Sequence, residues 1–307
     1  MAVQFAVLAS GSRGNATLIR AGGAALLLDL GVGPRELSRR LESVGASWDH
    51  LGAALLTHTH SDHVDDHGLL KLAAHRIPFY CHEEHREELS FQAGFQALAA
   101  AGLVRCYDDR PFLAPNGMGV EPLELSHDAD PTFGFRIEVK PARGSRSLAI
   151  GYMADTGCWT AAMADRMAGV DLLGIEFNHD VAMQKGSRRP PFLIERVLGN
   201  WGHLSNEQGA EFVTAVLDRS GRGDLRHLVL LHLSQQCNTP ELAVDSARSA
   251  LRGAGRRVAV HASRQAVPHP TLWLEPARRR RTAPVLAGAR VATRRRLPAA
   301  SWFSDDS

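Results

Sequence analysis

The stretch LLTHTHSDHVDDH, Leu55 to His67, constrains this chain more than any other part of it. An apolar run ends there, and five ligand-type side chains follow at once: His58, His60, Asp62, His63 and His67. Side chains alternate along an extended strand, so His58 and His60 project to one side and their imidazoles can meet one cation. The chain then turns through Ser61, which lets Asp62 and His63 approach a second position close by. Two ions about 3.5–4 Å apart can share a hydroxide and clamp the oxygens of a phosphoester. Imidazole and carboxylate suit zinc, and manganese or iron are compatible. His67 and the more distant His75 read as surface or supporting residues.

One loop cannot complete two such sites, so further ligands are expected at later strand ends. LELSHDAD ends an apolar run at His127, IGYMADTG ends one at Asp155, and LVLLHLS ends one at His232. Each could sit on the same rim of a sheet sandwich. Taken singly, each reads as an ordinary loop residue. Taken with HxHxDH, in this order, they read as a ligand set.

The rest of the chain supplies suitable scaffolding. VQFAVLA, NATLIRAG and AALLLDLG are short apolar runs between Gly-rich breaks, as hairpin strands are. PRELSRRLESVG places Leu37, Leu41 and Val44 on one helical face. One helical stretch is expected over 83–101. Strands with interspersed helices recur in the second half, which predicts two packed sheets covered outside by helices, an α/β class. No repeat is strong enough to prove duplication.

Hydrophobic residues make up 44% and charged residues 22%, the balance of a soluble globular protein. No apolar run approaches the roughly 18 residues of a membrane helix. The opening MAVQFAVLASGSRGN breaks into a turn and lacks a basic lead, so it reads as a first strand rather than a leader. Cys81, Cys106, Cys158 and Cys237 form no CxxC pair, which suits a reducing cytoplasm and no membrane association. The net charge of +2 hides an asymmetry, because the residues from Pro276 onward hold eight arginines against Asp305 and Asp306. That tail carries +6 and residues 1–275 carry −4. The expected organisation is a folded domain over 1–275 and an Arg-rich, disordered arm over 276–307, a form that suits either a polyanion or plain solvation.

With these residues in view, the chain resembles the metallo-β-lactamase-fold hydrolases. The resemblance implies an αββα sandwich with a dinuclear site along one edge of the sheets. It implies that His58, His60 and His127 hold one metal, that Asp62, His63 and His232 hold the second, and that Asp155 bridges both. Asp29, in LLLDLG, matches the aspartate that orients the metal loop without being a ligand. ASGSRGN, EFNHD, GHLSN and HLSQQCNTP resemble more particularly the YycJ/WalJ branch, akin to tRNase Z and RNase J, over about residues 4–262. DLG stands where that branch usually has DAG, and THTHSDH where it has THEHSDH.

That branch implies a metal-dependent phosphodiesterase or nuclease that uses a metal-bridged hydroxide, with zinc or manganese as cofactor. DNA exonuclease activity is implied, with DNA favoured over RNA as partner. Asp62, His203 and Glu176 would be the catalytic residues, with His203 acting as proton donor to the leaving alkoxide. His203 also reads as helix-capping scaffold, and Ser205 and Asn206 as caps of the helix that follows. Ser12 and Asn15, in a turn whose amides could face an anion, and His179 are candidate substrate contacts, with a ligand-free hairpin and simple packing as the alternatives. The alternative function is a glyoxalase II-type thioesterase or lactonase, since the same centre hydrolyses acyl compounds.

Overall fold

The computed structural model describes residues 2–115, 117–129, 131–140, 146–221 and 224–275, so the expected arm over 276–307 lies outside the described residues. Two seven-stranded sheets face each other. The first contains β1 (Val3–Ala9), β2 (Ala16–Ala21), β3 (Ala24–Leu28), β4 (Leu51–Leu55), β5 (Phe79–His82) and β6 (Val104–Tyr107). The second contains β7 (Phe112–Leu113), β8 (Gly119–Leu125), β9 (Thr132–Val139), β10 (Leu148–Met153), β11 (Leu172–Glu176), β12 (His227–Leu231) and β13 (Ala259–Ala262). A last strand, β14 (Thr271–Leu274), returns to the first sheet and pairs antiparallel with β1.

Both sheets are wound alike. In the first, β1, β2 and β3 are antiparallel neighbours and β3 to β6 run parallel. In the second, β8, β9 and β10 are antiparallel and β10 to β13 run parallel. The duplication that the sequence could not prove is thus present as topology. Strands β3, β4, β8, β10, β11 and β12 consequently deliver their carboxyl ends to one rim, where open α/β sheets place their ligands.

Helices close the two outer faces. They are α1 (Pro34–Ser43), α2 (Asp66–Ala74), α3 (His85–Leu89) and α4 (Ala93–Ala100) in the first half. The second half adds α5 (Ala161–Arg166), α6 (Val181–Lys185), α7 (Pro191–Leu198), α8 (Asn206–Arg219) and α9 (Pro240–Gly253). The single helix expected over 83–101 is two, because Gln92 is extended at the N-cap of α4 and breaks the run. Gly94 permits the close approach of α4 to α2, since a Cβ there would lie 2.4 Å from the Asp66 carbonyl oxygen.

Burial on both faces explains why the strands read as unbroken apolar runs. All seven residues of β1 are buried. Phe5 and Val7 pack into the layer between the sheets with Ile19, Phe133, Phe135 and Val229. Ala6 and Leu8 pack outward with Leu37, Leu41 and Leu69 under the helices. On the far side, Phe212 and Val213 of α8 and Ala243 and Ala247 of α9 cover Leu173, Leu228 and Leu230. This is the four-layer α/β sandwich that the resemblance implied.

Candidate metal centre

Every predicted ligand stands one to three residues beyond a strand end or on the HxHxDH turn, and all converge at the rim. Four groups have ligand atoms within 4.8 Å of one another. They are His58, His60 and His127; His58, His63 and Asp155; Asp62, His63 and His232; and Asp155, Glu176, His203 and His232. At the shortest approach His63 Nε2 lies 2.5 Å from Asp155 Oδ2, and His58 Nε2 lies 3.9 Å from the same oxygen. His232 Nε2 is 3.5 Å from Asp62 Oδ2.

Sharp turns make this convergence possible. Asp29, Asp155 and His232 have φ of 59°, 55° and 54°, and Arg76 is the one other non-glycine residue with positive φ among the described residues. Left-handed backbone costs a non-glycine residue on the order of 1–3 kcal/mol. Here it turns the chain immediately after β3, β10 and β12 and aims the side chain back over the rim. Gly31 makes room for the metal loop, because a Cβ there would lie 1.8 Å from the Asp62 carbonyl oxygen.

Buried partners set the orientation of His63, His58 and His127. Asp29 Oδ2 lies 2.9 Å from His63 Nδ1, and Asp29 also accepts from the Thr57 backbone amide at 2.8 Å and from the Thr57 hydroxyl. Thr57 Oγ1 in turn lies 3.0 Å from His58 Nδ1. His127 Nδ1 lies 2.9 Å from the Gly202 carbonyl oxygen. Engaging Nδ1 presents Nε2 to the centre, the arrangement seen where a carboxylate or carbonyl supports a metal-bound histidine.

The residues present fit a divalent cation. The donors are imidazole nitrogens and carboxylate oxygens. His232 Nε2 is buried and has no hydrogen-bond partner among the described residues. A buried polar atom in that condition is costly unless something accepts its lone pair or proton.

The charge distribution is strongly polarised. Burial disfavours charge on Asp155, but His232 and His63 hold its carboxyl well below the usual range. Burial likewise disfavours charge on His63, yet Asp29 and Asp155 raise the imidazole to about 10. His58, under burial and beside His63, is pushed well below its ordinary value. Burial also opposes charge on Glu176, but His203 outweighs it and brings the carboxyl down to about 2. Reciprocally, burial depresses His203 but Glu176 and Asp155 raise it to about 9.

Glu176 Oε1 lies 2.8 Å from His203 Nδ1, and Glu176 Oε2 accepts from the Thr156 backbone amide at 2.8 Å. The Nε2 of His203 is thereby left to a cleft of about 550 Å³, lined also by Ser12, Arg13, Asn178, Arg189 and His232. Ser205 caps α8 as expected, in a capping box with Gln208. Asn206 does not cap: it is the first residue of α8 and pairs its amide with Asn238 at 2.9 Å in both directions.

Two sequence expectations change. Asn15, expected against substrate, is buried, and its side chain clamps the SGSRGN turn to the metal loop. Its Oδ1 accepts from the Gly11 amide at 2.8 Å, its Nδ2 lies 2.9 Å from His63 Nε2, and its backbone amide donates to the Asp62 carbonyl at 2.7 Å. His179 is 1% exposed and does not line the cleft, and burial brings it down to about 4. Its backbone carbonyl accepts from the Asn206 amide, and neither ring nitrogen has a hydrogen-bond partner among the described residues. Ser12 does line the cleft. His75 is remote from the centre, stacked on Trp48 and 3.2 Å from Asp49.

Three contributors escaped the sequence reading. Asp128 Oδ1 lies 3.3 Å from His127 Nε2 and 3.6 Å from His60 Nε2, and its other oxygen pairs with Arg196 of α7. Asn178 Nδ2 donates to the His232 carbonyl at 2.9 Å, and Ser10 Oγ accepts from the His232 amide at 2.7 Å. The acid beside His127 was the available signal for Asp128. Ser10 and Asn178 lie within the ASGSRGN and EFNHD motifs, but neither is near His232 in sequence and no local pattern pairs them with it.

A model described as Beta-lactamase superfamily domain matches residues 25–232, and the chain belongs to that superfamily. It is 27% identical over 270 residues to Exodeoxyribonuclease YycJ of Bacillus anthracis, covering 85% of this chain and 95% of that one. It is 28% identical over 250 residues to Exodeoxyribonuclease WalJ of Streptococcus pneumoniae, covering 78% and 85%. Among solved structures it is similar to the metallo-beta-lactamase fold protein YhfI from Bacillus subtilis, with a TM-score of 0.62 at 18% identity, covering 87% and 98%. No helix among the described residues is long and apolar enough to cross a membrane.

Proposed function

We propose that this protein is a metal-dependent nuclease that hydrolyses phosphodiester bonds of DNA, acting from a strand end. The carrying observation is the His203–Glu176 pair at 2.8 Å beside Asp155 and His232, opening on the cleft. The names of the YycJ and WalJ relatives support an exodeoxyribonuclease reading.

His58, His60 and His127 would hold one ion, Asp62, His63 and His232 a second, and Asp155 both. Two such ions, zinc or manganese, supply an activated water and offset charge on the phosphoryl oxygens when bound. The protein's own groups do the rest. Asp29 and Thr57 orient His63 and His58, and Asn15 holds the loop that carries Asp62. Asp62, 22% exposed on its side chain, would receive a proton from the attacking water. His203, raised to about 9, is protonated at neutral pH and donates from Nε2 to the departing oxygen. Glu176 keeps Nδ1 engaged and stabilises the charged ring.

An acyl hydrolase needs this second acid pair less, because its leaving group departs more readily. The test is digestion of end-labelled DNA and RNA by zinc- and manganese-loaded protein, beside an acyl-glutathione. Release of nucleotides from DNA is expected. Turnover of the thioester alone would remove the nuclease reading.

A further inference from the structure

Arg13 and Arg189 stand on the wall of the cleft that holds His203 and His232. Neither has a carboxylate partner among the described residues. Arg13 donates to Gln235, and the Gln265 side chain accepts from its backbone amide at 3.0 Å. Arg189 donates to Gln236 at 3.1 Å, to the buried Gln184 at 3.2 Å and to Ser234 at 3.5 Å. Neutral acceptors therefore aim both guanidiniums without cancelling their charge. Arg196, on the other side of the centre, is by contrast neutralised by Asp128.

Arg189 and Gln236 also line a second hollow of about 710 Å³, together with Met183, Ser187, Arg188 and Pro190. The two hollows share Arg189 and Gln236 and adjoin there, the first reaching to His203 and the second to Arg188. Each is within the roughly 300–1,000 Å³ of sites that enclose a small organic ligand. A small diester would occupy the first hollow alone. Two adjoining hollows with uncancelled arginines on their walls suit a ligand that carries an anion at each repeat.

Resting on the nuclease reading, the geometry points to Arg13 and Arg189 as the phosphate grip for the strand on the leaving-group side, with the second hollow taking the nucleotide beyond. His203 sets that side, since the oxygen it protonates belongs to the segment that lies in these hollows. Guanidinium pairs with phosphate through two parallel hydrogen bonds, a geometry that glutamine cannot reproduce with charge.

The test compares R13Q, R189Q and the double variant with wild type and with R39Q, which removes a surface arginine paired to Glu36 on α1. Binding of a fluorescein-labelled single-stranded oligodeoxynucleotide with hydrolysis-resistant phosphorothioate linkages is followed by anisotropy on manganese-loaded protein across a salt series. Hydrolysis of the unmodified oligonucleotide and of bis(p-nitrophenyl) phosphate is followed on manganese-loaded protein. Each cleft variant is expected to bind about tenfold more weakly, as for one lost charge-assisted hydrogen-bonding group. The log–log salt slope should shrink by about 0.7 for each arginine removed. Relative to wild type, kcat/KM on the oligonucleotide should fall about tenfold further than on the small diester. R39Q should match wild type throughout.

Cleft variants that bind no worse than R39Q overturn the assignment, as does an equal loss on both substrates. If wild type cuts the oligonucleotide and the variants are unimpaired, only the phosphate grip is lost. If wild type hydrolyses the small diester but neither binds nor cuts the oligonucleotide, the nuclease reading falls and takes the grip with it.

Discussion

Glu176 Oε1 sits 2.8 Å from His203 Nδ1, so a buried carboxylate holds an imidazole that lines the cleft beside His232. On the proposed reading the pair would be a proton donor and its support rather than metal ligands, and His203 reaches the rim from the turn between α7 and α8. Replacing His203 with alanine is therefore expected to leave metal content intact and lower nuclease turnover by about 10²–10⁴-fold. The loss should be much smaller on bis(p-nitrophenyl) phosphate, whose leaving group departs unprotonated. Metal analysis beside both assays checks this, and a metal-depleted H203A protein would assign His203 to the ligand set.

The raised value of His203, about 9, sets a pH dependence. The donor form is present below that value and lost above it. Nuclease activity should therefore fall as pH rises through about 9, while the aryl diester lacks that limb. In Glu176→Gln the supporting charge is gone, so the limb should move to lower pH. A pH–rate profile in which wild type and E176Q coincide would exclude the coupling.

Asp155 touches both halves of the cluster, at His63 and His58 on one oxygen and at His232 on the other. Asp155→Ala should lose bound metal and all activity. Asp29→Asn should be milder, because asparagine tolerates the left-handed backbone at φ 59° but no longer offers a carboxylate to His63. Loss of such a supporting partner weakens metal binding about 10–100-fold, which a competing chelator titration would measure.

Gly31→Ala should displace the metal loop, since its Cβ would lie 1.8 Å from Asp62 O and 2.6 Å from His63 N. Gly33→Ala is the matched control, for nothing lies within 4 Å of a Cβ there. Metal content and Tm should both fall in the first and stay near wild type in the second. Equal behaviour of the two would mean that the loop yields without cost.

Removing residues 276–307 should weaken nucleic-acid binding and flatten its salt dependence, because eight arginines against two aspartates leave with it. Hydrolysis of a small diester should be retained. Equal loss of both would place the arm within the fold.

The sequence by itself pointed to the residues that meet at the rim. HxHxDH and the strand-end His127, Asp155 and His232 were legible because strand periodicity and chain reversal are local properties. The two buried sheets were legible too, in apolar runs such as VQFAVLA that are covered on both faces. Only tertiary structure decided what each polar side chain meets. Asn15 became a clamp because Asp62 packs against it across 47 residues. Arg13 and Arg189 line one cleft because the SGSRGN turn and the approach to α7 both border the Ser234–Gln236 loop. The pairing of β14 with β1 likewise joins the two ends of the described chain. Such contacts depend on how two sheets are stacked and twisted, and no local pattern encodes the distance between residues that only stacking brings together.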